Sequence, residues 1–298
     1  MKLSKRISVA LVGTALCGMV SAGCGTQHVP GTGPDEAVGV QQTDKNITIG
    51  YIDWDEDVAT TYLWAQLLKQ KGYHVTLKSV ALGPMFVGLS QGGVDVFFDS
   101  WLPEQTPYIK KYQDNVATLG KWYKGQTTEG LVVPTYMKNV NSIADLKKLP
   151  SQENQIVGID PGSVEMDLVK KAISEYGLDT TLVSSSSPAM LSALKKAYDA
   201  KQDIAVVLWS PHWAFATYKL KYLADPKGVF GKGGTIQAEA NKDWMSSHAQ
   251  AVDWLKHFTL TQNQLGQLEN DINASTKEAG VKKWIQDNQA LVNSWLKS

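Results

Sequence analysis

The chain has 298 residues, enough for two lobes of ordinary size or one large domain. Its 29 Lys+Arg balance 29 Asp+Glu, which excludes the strong basic field of a nucleic-acid or acidic-membrane binder. The only arginine is Arg6, so no later residue offers a guanidinium fork for a carboxylate or phosphate, whereas ten tryptophans offer aromatic faces.

Residues 1–23 read as an export signal, with Lys2, Lys5 and Arg6 before the apolar run Ile7–Val20 and the small residues Ser21, Ala22 and Gly23. That run is shorter than the roughly 20 residues that span a bilayer. Cys24 follows directly, as in a bacterial lipobox, although Ser21 stands where a leucine-like residue is usual. Cys24 is therefore expected to be acylated, with plain signal cleavage as the alternative. A chain starting there carries one cysteine, no internal disulfide, and 26 lysines against 29 acids, a net charge of −3. Residues 24–45 lack any helical or strand period and read as a flexible tether.

From Asn46 onward apolar strands alternate with helical stretches, the α/β pattern. Strands are predicted at Ile47–Ile52, Val75–Val80 and Val94–Phe98, with helices at Ala59–Lys71, stopped by Gly72, and at Pro84–Gln91. The order recurs with strands at Gln155–Ile159, Thr181–Val183 and Ile204–Leu208 and helices at Val164–Tyr176 and Pro188–Ala200. The stretches 83–103 and 187–211 each run from a helix through an apolar strand to a tryptophan and a proline, a weak internal duplication. Two similar α/β lobes facing one cleft follow, because open α/β sheets bind ligands outside strand carboxyl ends. Residues 241–298 carry apolar residues at helical spacing and read as a helical cap on the first lobe.

Trp54, Trp101 and Trp209 sit just past predicted strand ends, where aromatic faces form a box for a quaternary ammonium. The alternative is that they are core residues. The other seven tryptophans read as packing, Trp213 least clearly. Gly158–Glu165 turns a strand into a helix, and its free N–H groups form an arginine-free carboxylate notch or an ordinary turn capped by Ser163. Box and notch together describe a small zwitterion.

The motifs GYIDWDED (50–57), GGVDVFFDSWLP (92–103), GLVVPTYMKNVNSIADL (130–146), GIDPGS (158–163), VSSSSPAMLSALKKAY (183–198) and VVLWSPHWAF (206–215) resemble the glycine betaine/proline betaine-binding proteins of osmoprotectant ABC importers. The resemblance implies a type II periplasmic-binding-protein fold, two lobes with a hinge and a ligand cleft between them. Lobe 1 would comprise 46–134 and 224–298, and lobe 2 would be 135–223. It also implies that Trp54, Trp101 and Trp209 surround the trimethylammonium head, while the N–H groups of Val164 and Glu165 take the ligand carboxylate. The family's extra carboxylate donor is a histidine after its WLP motif. Here Glu104, Gln105 and Thr106 occupy that stretch, leaving Gln105 or Thr106 as possible donors. His212, in the second motif, reads as structural.

The expected function is capture of glycine betaine or a related quaternary-ammonium solute for an ABC permease, at the extracytoplasmic face of the cell membrane and attached only by lipid. Choline or carnitine is the alternative ligand. An extracellular enzyme using Asp53, Asp55, Glu56 or Asp57 is the weaker reading, since acids around a turn are more often a solvated face or helix N-terminal charges. No G-x-S-x-G, H-E-x-x-H or phosphate loop occurs, and the serine run 184–187 reads as a loop and helix cap. The five histidines are far apart, so neither metal nor cofactor is expected.

Overall fold

The computed structural model describes residues 44–149 and 154–297. The expected signal peptide, Cys24 and nearly all of the tether lie outside them. The first half-repeat runs β1 (Asn46–Tyr51), α1 (Asp55–Gln70), β2 (His74–Ser79), α2 (Leu82–Ser90), β3 (Val96–Leu102), α3 (Thr106–Tyr112) and β4 (Val116–Lys121). The second runs β5 (Thr128–Pro134), β6 (Gln155–Val157), α4 (Val164–Tyr176), β7 (Thr181–Val183), α5 (Ser187–Ala200), β8 (Ala205–Ser210), α6 (Ala214–Thr217) and β9 (Leu220–Tyr222). The chain then returns through β10 (Thr235–Asn241) to α7 (Lys242–Ser247), α8 (Ala249–His257), α9 (Gln262–Asn273), α10 (Lys277–Asp287) and α11 (Gln289–Trp295).

The strands form two five-stranded sheets, ordered β2-β1-β3-β10-β4 and β7-β6-β8-β5-β9. In each, three parallel strands joined by helices meet a fourth, antiparallel strand, so the duplication read from 83–103 and 187–211 is a duplication of sheets. Because β5 pairs with β8 and β9, the chain has entered the second sheet by Thr128, ahead of the crossover expected after 134. Ladder bonds decide this, and the apolar run 130–134 alone could not say which sheet it joins.

The two crossings between sheets lie side by side. Gly234 donates to the Thr127 hydroxyl at 2.7 Å, and Thr127 returns its N–H to the Gly234 carbonyl. A Cβ on Gly234 would lie 1.6 Å from the Leu102 carbonyl oxygen, so only glycine permits this approach. The C-terminal helices hold the same region: Lys124 N–H bonds the Leu260 carbonyl, and Leu260 N–H bonds that of Trp122.

Helices α9 and α10 pack against α1. Between them and β3 lies an aromatic core in which Trp64, Phe98, Phe258, Trp284 and Trp295 stack or meet edge to face, with Trp122 stacked on Phe258. Trp244 and Trp254 are also buried. Six of the seven tryptophans read as packing are thus interior. Among the described residues no helix is long and apolar enough to cross a membrane.

Candidate ligand-binding site

Trp54 lies three residues past the end of β1, at the N-cap of α1. Trp101 and Trp209 do not lie past their strands as expected. They are residues of β3 and β8, because ladder pairing with Ile236 and Glu129 carries each strand one turn of pleat further. The Trp54 and Trp209 rings, contributed by opposite sheets, stand 6.4 Å apart at 60°. All three indoles are about 2% exposed.

Carboxyl groups hold two of these rings in place. The Trp101 Nε1–H donates to Asp99 at 2.9 Å, and the Trp209 Nε1–H crosses between lobes to Glu56 at 2.8 Å. Asp99 and Glu56 in turn face one another. Burial pushes both carboxyls well above the usual range; the charge of Asp99 adds to the rise of Glu56 and that of Asp57 to the rise of Asp99, while the bond from Glu56 works against the rise of Asp99. Asp57 is likewise pushed up by burial, although it accepts the Ile52 N–H at 2.7 Å and the Thr61 hydroxyl. The first turn of α1 is therefore no solvated face: Glu56 is 1% exposed and Asp57 fully buried. The acids do fall at a helix N-terminus, where the peptide dipole favours negative charge.

A second bridge joins the lobes beside the first. Asp55 accepts the Trp213 Nε1–H at 2.6 Å, and His212 Nε2 lies 3.3 Å from its other oxygen. His212 Nδ1 accepts the Ala214 N–H, so the remaining ring nitrogen is the one left to donate to Asp55. Burial pushes the Asp55 carboxyl up, but the bonds from His212, Trp213 and Ser187 outweigh it and leave the group below the ordinary carboxylate range. Two cavities flank these contacts. One of about 130 Å³ is lined by Trp54, Asp55, Pro188 and Glu269, and a groove of about 480 Å³ by His212, Trp213, Gln267 and Glu269. Glu269 on α9 is 2% exposed, and burial, with the charges of Asp55 and Glu56, pushes it well above the usual range.

At the expected notch, Ser163 caps α4 by accepting the Met166 N–H at 3.3 Å, and Val164 is half-buried at the first helical position. Glu165 is buried, and its own carboxyl turns back onto its backbone N–H and the Ser163 hydroxyl. Gln105 is buried with its Oε1 unpartnered, and Thr106 is half-buried behind it. No His, Cys, Asp and Glu grouping with metal-ligand geometry occurs among the described residues.

Comparison with known proteins decides the family. A model described as the substrate binding domain of ABC-type glycine betaine transport systems, OpuAC, matches residues 45–287. The chain belongs to this family. Over 154 residues this OpuAC family member is 36% identical to the glycine betaine/carnitine transport binding protein GbuC of Listeria monocytogenes. The match covers 50% of the chain and about half, 51%, of that relative's length. Lactococcal OpuAC, in a closed-liganded crystal structure with glycine betaine, superposes with a TM-score of 0.78 at 36% identity, covering 85% of this chain and all of that one. ProX of Borrelia burgdorferi, a glycine/betaine/L-proline-binding protein, gives a TM-score of 0.77 at 28% identity, covering 85% and 97%. Two-lobed periplasmic binding proteins thus share the fold of this OpuAC family member, and substrate binding in ABC transport is its class.

Sequence reasoning missed the buried acids of this family member. One signal was present: Asp99 stands two residues before Trp101 in a strand, so both point to one face. Glu129 carried no such signal, because its partner Trp209 lies on a strand far away in sequence.

Proposed function

We propose that the chain is the extracytoplasmic receptor of an ABC importer and captures glycine betaine or a related quaternary-ammonium solute for delivery to a permease in osmoprotection. Trp54, Trp101 and Trp209 receive the ammonium head, and the N–H groups of Val164 and Glu165 receive the carboxylate, with Gln105 and Thr106 at the same end of the cleft. The chain binds and releases its solute without covalent chemistry, and lipid on Cys24, following an export signal at 1–23, tethers it to the membrane. Residues 46–134 with 224–298, and 135–223, approximate the two lobes that close about a hinge, with the first crossing moved to just before Thr128.

The observation that carries this reading is the meeting of Trp54 and Trp209 from opposite sheets, with the Trp101 and Trp209 N–H groups turned onto buried acids. With those edges bonded, the ring faces are left for a cation that cannot hydrogen-bond. Titration calorimetry with glycine betaine, glycine and choline on wild type and Trp209→Ala tests it. Heat with the betaine and none with glycine, lost in Trp209→Ala, is expected; equal responses to betaine and glycine would sink the aromatic box.

A further inference from the structure

Glu129, near the start of β5, stands opposite Trp209 in the antiparallel ladder, so its side chain lies on the same face of the sheet as that indole. It is 7% exposed, and neither carboxyl oxygen meets an N–H or hydroxyl donor. The group facing it is the carboxyl of Glu165, which is 6% exposed. Two ionised carboxylates have only acceptors, so this contact can be a hydrogen bond only through a proton.

Among the described residues no cationic side chain is paired with either carboxyl, although the Glu165 N–H and the Ser163 hydroxyl work against the rise of Glu165. Glu104 from the loop after β3, Asp99 from β3 and Glu56 from α1 face one or both members, and Tyr222 from β9 faces Glu129. All are acids or neutral, and among the described residues no lysine is ion-paired to any of them. Burial is the largest influence on both members and raises both; Glu165 raises Glu129 further, while the bond from Glu129 works against the rise of Glu165, the asymmetry of a pair in which Glu129 carries the proton and Glu165 accepts it. Such pairs keep one proton where isolated carboxyls would lose it.

We propose that Glu129 and Glu165 hold a proton between them at the carboxylate end of the cleft, and that this proton, in place of an arginine or histidine, receives the carboxylate of a bound betaine. The proposal rests on the betaine-receptor reading given above and names the side chains that set its specificity. In this arrangement the ligand carboxylate takes both the Glu165 N–H and the acidic O–H, and it replaces the Glu165 carboxyl as the acceptor at the head of α4. An O–H to carboxylate bond is short and strong. Deprotonation leaves two negative groups at that place, so betaine capture is linked to proton uptake. A solute with a hydroxyl in place of the carboxylate needs no such proton.

Titration calorimetry at pH 5.5, 6.5, 7.5 and 8.5, in buffers of different ionisation enthalpy, measures both affinity and protons taken up. With glycine betaine, affinity is expected to fall toward tenfold per pH unit once the pair deprotonates, with uptake approaching one proton. With choline, affinity is expected to stay level or rise over the same range. Glu129→Gln supplies a permanent N–H donor and is expected to flatten the betaine profile; Glu165→Gln is the second variant should the first fail to fold, and the wild-type proton count needs neither. Betaine binding at constant affinity with no proton uptake overturns the proposal and leaves the receptor reading standing. Failure of both solutes to bind at any pH overturns the receptor reading and the proposal with it.

Discussion

At the scale of single residues, the tryptophans of the cleft do two different things, and their variants separate them. Trp101 offers a ring face and an N–H bonded to Asp99. Trp101→Phe keeps a face and removes the bond; an ordinary hydrogen bond is worth about 0.5–1.5 kcal/mol, so betaine affinity should fall by about two- to tenfold. Trp101→Ala removes both and should lose a further ~2 kcal/mol of cation–π attraction, roughly another thirtyfold. Calorimetry on both variants checks the order; equal losses would mean that the ring face contributes nothing. The position of these residues was legible because wide aromatics at strand ends stand out in sequence. Their anchoring was not. Glu56 and Asp57 read as a charged surface turn, since a sequence cannot show that α9 and the opposite lobe cover that turn.

At the scale of elements, the first turn of α1 is where the lobes are joined. Asp55 takes Trp213 and His212, and Glu56 takes Trp209, all from the end of β8 or the turn after it. Asp55→Ala leaves the half-buried Trp213 N–H and the buried His212 ring without their acceptor, a penalty of about 1–3 kcal/mol for a buried donor. It should weaken betaine binding by tenfold or more through loss of the joined arrangement, with the ring faces untouched, because the ligand then has to supply what the bridge supplied. Scattering of the variant with saturating betaine should show a larger radius of gyration than wild type; the same radius and affinity would remove the bridge from the account. The parallel strands and their helices were legible as apolar runs with glycine stops: α4 and β7 fall on the residues expected. The antiparallel strands were not. β9 has three residues, and β10 places Gln237 and Glu239 in a buried strand, which breaks any apolar pattern.

For the whole molecule, buried acids without cationic partners give stability a definite slope with pH. Glu239 on β10 is pushed up to about 7 by burial, against which a bond from Gln237 works. Glu56, Asp57, Asp99 and Glu269 are raised for the same first reason. A raised carboxyl binds its proton more tightly in the folded state, so its contribution is fully present below the unfolded value and is lost as pH rises through the folded one. For Glu239 alone, a rise from 4.5 to about 7 corresponds to about 3 kcal/mol. Asp55, which is lowered, acts oppositely and only in strong acid. The unfolding midpoint should therefore be several degrees higher at pH 5.5 than at pH 8, and Glu269→Gln should raise the pH 8 value toward the other. A midpoint that climbs steadily from pH 5.5 to 8 would contradict this reading of the interior.

The inclined meeting of Trp54 and Trp209 also has an optical consequence. Two indoles 6.4 Å apart and inclined at 60° lie close enough for their transitions to mix, and such mixing decays steeply with separation. Since one ring belongs to each sheet, the circular dichroism couplet they generate is a gauge of lobe separation already built into the chain, and no label has to be attached to read it.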